Sequence, residues 1–85
     1  MFVYVLISEI DRRVYVGMTV NVEKRLKEHY AGRTKSTKGY RPWKLFFFES
    51  FNTREEARKR EKYLKSGFGK QWIKDKYKRS YNSVG

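Results

Sequence analysis

Five side chains in this 85-residue sequence have the types and the order to act on a phosphodiester: Tyr4, Tyr15, Arg25, His29 and Glu61. Arginine offers a planar, permanently charged fork to phosphate oxygens, and it stabilises the negative charge that grows in a pentavalent transition state better than lysine does. A tyrosine hydroxyl, with an ordinary pKa near ~10, acts as a base at neutral pH only beside positive charge or a hydrogen-bonded acceptor. Arg25, His29 and a metal ion would supply that setting for Tyr4 and Tyr15. Glu61 falls inside the stripe Ala57, Leu64, Phe68, where a carboxylate needs a compensating partner. Either an ion pair with Arg25 or Lys65, or a divalent ion completed by water and substrate phosphate, meets that need; the second suits magnesium. Singly, each residue has a plain structural alternative: tyrosine fills space in strands, a lone histidine packs in cores, and arginine lies solvated on basic helices. The weight lies in their convergence in the order strand, strand, helix, helix.

The elements that must position them are readable from periodicity. Phe2 to Ile7 is apolar on both faces, as in a strand covered on both sides, and Val14 to Met18 is again apolar, with a polar turn from Ser8 to Arg13 between them. The two runs form an antiparallel hairpin. With a loop of even length Tyr4 and Tyr15 share a face; an odd loop without a bulge separates them. Thr19 or Asn21 caps a helix from Val22 to Ala31, on which Val22, Leu26 and His29 share one face, Arg25 lies at its margin, and Arg25 and His29 sit one turn apart. Gly32 to Lys44 reads as a basic loop interleaved with Tyr40 and Trp43, and Leu45 to Phe51 as a third strand. Thr53 with Glu56 forms a capping box for a helix from Arg54 to Ser66 closed by Gly67. Gln71 to Tyr77 forms a short last helix, and a basic tail frays from about Lys78.

Length and composition narrow the function. A chain this short has room for one domain, residues 1–85, with one modest core. Its 21 Lys and Arg against 9 Asp and Glu give a net charge of +12, which points to a polyanionic partner. Nucleic acid fits better than a membrane, because no run of about 18 apolar residues occurs. Lys24, Arg33, Lys35, Lys38 and Arg41 are the candidate phosphate contacts, and Tyr40 or Trp43 the candidate stacking partners of an unpaired base, core packing being the alternative for Trp43. The absence of cysteine excludes disulfides, thiolate catalysis and zinc knuckles, and one histidine cannot build a His-rich metal site. The N-terminal residues lack a basic leader and a small-residue cleavage site, so the expected setting is intracellular and cytoplasmic.

The chain resembles a GIY-YIG nuclease domain, in particular the small stand-alone bacterial group related to structure-specific endonuclease subunits. Phe2-Val3-Tyr4 corresponds to the first motif, with only the tyrosine kept, and Tyr15-Val16-Gly17 to the second. The likeness continues through Gly17-Met18-Thr19, the run from Glu23 to His29, Arg41-Pro42-Trp43-Lys44-Leu45 and the run from Glu56 to Glu61, and so covers nearly the whole chain. It implies an α/β (α+β) fold, a small three-stranded antiparallel sheet flanked by helices in the order β-β-α-β-α-α. It also implies a metal-dependent endonuclease on DNA, using Mg2+ or Mn2+, in DNA repair or recombination. By the resemblance Tyr4 is the general base or relay, Tyr15 a positioning or proton-transfer partner, Arg25 the phosphate electrophile, Glu61 the metal ligand and His29 an assistant to the tyrosines; Asn82 is the counterpart of a late asparagine. RNA stays open as a substrate, a homodimer or protein partner would supply specificity, and the rival reading is a binding module that kept the fold without turnover.

Overall fold

The computed structural model describes residues 1–82, with side chains to Ser80. Strand β1 (Phe2–Ser8) is the centre of a three-stranded antiparallel sheet, flanked by β2 (Val14–Thr19) and β3 (Trp43–Ser50) in the order β2-β1-β3. Helix α1 (Val22–Tyr30) follows β2, a four-residue helix α2 (Lys35–Lys38) interrupts the connection to β3, and α3 (Arg54–Lys65) and α4 (Gly67–Asn82) complete the chain. This is the α+β arrangement expected from the sequence, with one extra short helix. No helix among the described residues is long and apolar enough to cross a membrane.

The central strand is buried on both faces because helices cover both. Val3, Val5 and Val16 point to one layer, where Ala57 and Leu64 of α3 and Ile73 of α4 meet them. Tyr4 and Leu6 point to the other, with Trp43, Tyr15 and Leu26. Pairing in the hairpin sets Tyr4 opposite Gly17 and Leu6 opposite Tyr15, so Tyr4 and Tyr15 share a face, the outcome required of an even-length loop. On the other side of β1 the register slips at Val5/Leu6, where Val5 pairs with Phe47 but Leu6 with Leu45. The unmatched residue is Phe46. This β-bulge lets the consecutive Phe46 and Phe47 both pack toward α4, their rings 5.2 Å from Tyr77 and 5.9 Å from Trp72, while Trp43 and Leu45 turn to the Tyr4 face.

Helix ends explain where the observed boundaries depart from those predicted. Asn21 caps α1, its side chain accepting from Lys24 N, and Gly32, at φ 76°, closes the helix with its N–H donating to the His29 carbonyl. Thr53 caps α3 by accepting from Glu56 N. Gly67, expected to end α3, instead opens α4. Ser66 is the reason: its Oγ accepts from Gly69 N and its carbonyl from Lys70 N, so it works as an N-cap and the chain turns directly into a new helix. The break in phase leaves Phe68 exposed rather than continuing the Ala57–Leu64 stripe, and Ile73 takes the buried position. Anchored by Ile73, Trp72 and Tyr77, α4 runs on through Lys78 to Asn82, where composition alone predicts a short helix and a fraying tail. The Asn82 side chain lies outside the described residues.

Gly17 carries the tightest constraint of the sheet. A Cβ there would fall on the Tyr4 hydroxyl and come within 2.5 Å of Tyr4 Cζ. Gly17→Ala is therefore expected to displace the Tyr4 ring and destabilise the fold by about 1–3 kcal/mol, the usual cost of overpacking. Urea denaturation checks this; unchanged stability would mean that the ring sits elsewhere.

Candidate functional site

Tyr4 projects from the middle of β1 with 1% of its surface exposed, and His29, on the inward face of α1, is fully buried. A buried hydroxyl and a buried imidazole each need a partner. They find one another: Tyr4 Oη lies 2.8 Å from His29 Nε2. Arg25, one turn earlier on α1, donates from Nε to Tyr4 Oη at 3.3 Å and from Nη1 to Glu28 Oε1 at 2.9 Å. Its side chain keeps 33% exposure, so one edge of the guanidinium reaches solvent. The half-buried Tyr15 completes the cluster, its ring 5.0 Å from that of His29 and 6.2 Å from those of Tyr4 and Trp43.

The second imidazole nitrogen, Nδ1, lies 2.8 Å from Thr37 Oγ1 in α2. Thr37 is fully buried, its hydroxyl 3.4 Å from the Thr34 carbonyl, and its own carbonyl accepts from Trp43 Nε1 at 2.7 Å. Trp43 is therefore an anchor that ties α2 to the sheet, and packing rather than base stacking is its role. Tyr40 is half-buried with the Arg13 guanidinium 3.5 Å over its ring. Sequence reasoning missed Thr37, because one threonine in a polar, basic segment carries no periodic signal; Trp43 on the edge of the same segment was the only hint of a buried contact.

The electrostatics follow from burial. Desolvation pushes the Tyr4 phenol up to about 12, outweighing the opposing Arg25 charge. Burial, helped by the Arg25 charge, pushes His29 down to about 4. At neutral pH Tyr4 keeps its proton and His29 is uncharged, so the pair is a neutral hydrogen bond with a cation beside it. Bonds to Glu28 and Tyr4 raise the pKa of Arg25, so its charge is permanent.

Four of the five predicted residues thus meet on one face of the sheet. Glu61 lies on α3, whose Ala57 and Leu64 pack in the layer against the opposite face. Its side chain is 14% exposed and pairs with Lys65 Nζ at 3.3 Å, one of the two ion pairs expected for it; no described hydrogen bond or ion pair joins it to Tyr4, Tyr15, Arg25 or His29. The described residues contain no group of three His, Cys, Asp or Glu able to hold a metal. A single hard carboxylate whose partner is a lysine with 54% exposure fits only one kind of ion, a magnesium-class cation whose other ligands are waters and phosphate oxygens.

Of the predicted phosphate contacts, Lys24, Arg33, Lys35 and Lys38 are exposed on α1, α2 and the link between them, in the layer that buries His29. Arg41 is also exposed, but its guanidinium folds over Gly32 and donates to the carbonyls of Lys38 and Tyr30, tying the ends of α1 and α2 together.

His29 makes stability depend on acid. The unfolded chain takes up a proton near pH 6.5 that the folded chain refuses until about pH 4. Stability from the neutral imidazole is complete well above pH 6.5 and is lost as the pH falls to about 4, in total roughly 3 kcal/mol. Denaturant titrations between pH 7 and 4 should show that decline, and His29→Asn should flatten it; an equal slope in both proteins would refute a buried neutral His29.

Comparison with known proteins agrees with this fold. The GIY-YIG catalytic domain family matches residues 1–82. A UPF0213 protein of Clostridium perfringens is 45% identical over 65 residues, 75% of this chain and 69% of the relative. A UPF0213 protein of Haloquadratum walsbyi is 46% identical over 65 residues, 74% and 73% of the two chains, and one of Staphylococcus haemolyticus is 38% identical over 74 residues, 86% and 89%. No solved structure matches the chain.

Proposed function

The chain belongs to the GIY-YIG family, and we propose that it acts as a divalent-metal-dependent endonuclease on DNA, in repair or recombination and in the cytoplasm. The observation that carries this reading is the partly exposed Arg25 guanidinium bonded directly to the buried Tyr4–His29 pair. It joins a phosphate-binding cation to a proton-accepting path in one contact.

The path works in the following way. A phosphate docks on the exposed edge of Arg25, guided by Lys24, Arg33, Lys35 and Lys38, with Arg41 adding charge from its capping position. Its negative charge offsets the Arg25 charge, one of the two causes that hold His29 acidic, so imidazole becomes a better base when substrate is bound. Tyr4, which does not ionise by itself at neutral pH, relays instead: its oxygen accepts the proton of the attacking water as its own proton passes to His29 Nε2. Tyr15 packs beside both rings and holds the Tyr4 phenol in place. Arg25 stabilises the charge developing on phosphorus-bound oxygen. Glu61 would hold the Mg2+ or Mn2+ once Lys65 swings away, and such an ion would supply Lewis-acid stabilisation of negative charge on a phosphate oxygen. A second copy of the chain or a protein partner would add specificity, since so small a surface reads few features of a substrate.

Binding of nucleic acid, DNA or RNA, without turnover is the rival reading. One observation favours it: Glu61 is occupied by Lys65 and has no described bond to the four-residue cluster. Cleavage assays on linear, flapped and branched DNA with magnesium or manganese separate the two. Arg25→Ala is expected to lower cleavage by about 10²–10³-fold, Tyr4→Phe and Glu61→Gln to lower it strongly, and all three to retain salt-sensitive binding. Absence of cleavage by the wild type would leave the binding reading standing, and a Glu61→Gln variant as active as wild type would overturn the catalytic role given to Glu61.

A further inference from the structure

The direction of the hydrogen bonds around His29 follows from an accounting of protons. Arg25 has only donors, so at its contact with Tyr4 Oη the phenol oxygen accepts. The phenol proton must then go to another acceptor, and His29 Nε2 at 2.8 Å is the well-placed one. That requires an unprotonated Nε2, so the proton of the neutral imidazole sits on Nδ1 and is donated to Thr37 Oγ1 at 2.8 Å. Thr37 in turn donates to the Thr34 carbonyl at 3.4 Å. With the opposite direction, Thr37 donating to Nδ1 and Nε2–H to Tyr4, the Tyr4 oxygen would accept from both Arg25 and His29, and a phenol that is 1% exposed would have only the Tyr15 hydroxyl, its weakest partner, for its proton in place of a nitrogen at 2.8 Å.

We propose that Thr37 is a positioning residue that holds His29 as the Nδ1-protonated tautomer, so that Nε2 faces Tyr4 as a proton acceptor. Thr37 itself is held on two sides: its carbonyl receives Trp43 Nε1 from β3, and its N–H donates to the carbonyl of Thr34, the residue that precedes α2. The inserted helix between α1 and β3 thus has a defined task, the presentation of one hydroxyl to the rear of the imidazole. The tautomer is independent of the nuclease reading; its effect on rate rests on that reading.

The chain contains one histidine, so a histidine-labelled sample yields a single imidazole in long-range proton–nitrogen NMR spectra. At pH 7 the wild type is expected to show a protonated Nδ1 and an unprotonated Nε2. Thr37→Val, which keeps the shape but removes the hydroxyl, is expected to lose that uniform pattern, and Thr37→Ser to keep it. In the cleavage assay kcat should fall about 10- to 100-fold in Thr37→Val, the size seen when the outer partner of a functional histidine is removed, with KM little changed and recovery in Thr37→Ser. A wild-type spectrum with the proton on Nε2 overturns the proposal, as does a folded Thr37→Val protein with an unchanged spectrum. If Thr37→Val does not fold, the wild-type and Thr37→Ser spectra still decide. Wild-type protein that shows the expected tautomer but cuts no DNA refutes the nuclease reading and leaves the Thr37 assignment intact.

Discussion

A phenol hydroxyl buried at the centre of a sheet is the constraint on which this structure turns. β1 cannot satisfy Tyr4 Oη, because its backbone groups are committed to β2 and β3 on both sides. Partners must come from another element, and α1 provides both, His29 Nε2 and Arg25 Nε. Room for the ring must come from the neighbouring strand, and Gly17 provides it by having no side chain. A strand, a glycine and a helix are thereby locked to one another through a single oxygen. The imidazole extends the lock to α2, and Trp43 extends it to β3, so one polar path crosses the whole layer.

The same burial sets the chemistry. Tyr4 and His29 are both pushed away from charge, the phenol upward and the imidazole downward, which makes the resting pair neutral and stable. Arg25 is the exception, a permanent cation that is one-third exposed and already shared between Tyr4 and Glu28. On the function proposed for this site, a phosphate arriving there would exchange with Glu28 for the guanidinium, so affinity would reflect the difference between two anions rather than the whole charge of the arginine.

Much of this was legible in the sequence, and the parts that were not have physical reasons. Hairpin parity reduced Tyr4 and Tyr15 to two outcomes, a shared face for an even loop and opposite faces for an odd one, and the pairing register chose the first; helical spacing alone aimed His29 at the sheet. The caps at Asn21 and Thr53 are equally local. Gly67 misled because a glycine after an amphipathic helix suits a left-handed end, whereas the Ser66 side chain offered a competing start. Thr37 was invisible because its importance comes from a partner eight residues away. Glu61 was rightly singled out as a costly carboxylate, but an inward position on a helix does not say which sheet face that helix covers; α3 covers the face opposite to Tyr4.

The bulge in β3 decides more than a local kink. Because Phe46 has no opposite residue, the strand changes parity midway: Phe47 and Trp43, four residues apart, would share a face in a regular strand but lie on opposite ones here. One ribbon therefore seals the aromatic packing under α4 at one end and anchors the histidine's threonine at the other. The skipped residue is therefore what keeps the two ends of β3 in their own layers. Were Phe46 paired in a regular ladder, the strand on the Trp43 side would exchange inside for outside and Trp43 would enter the wrong layer, although no residue of the tyrosine–histidine–arginine cluster had been touched.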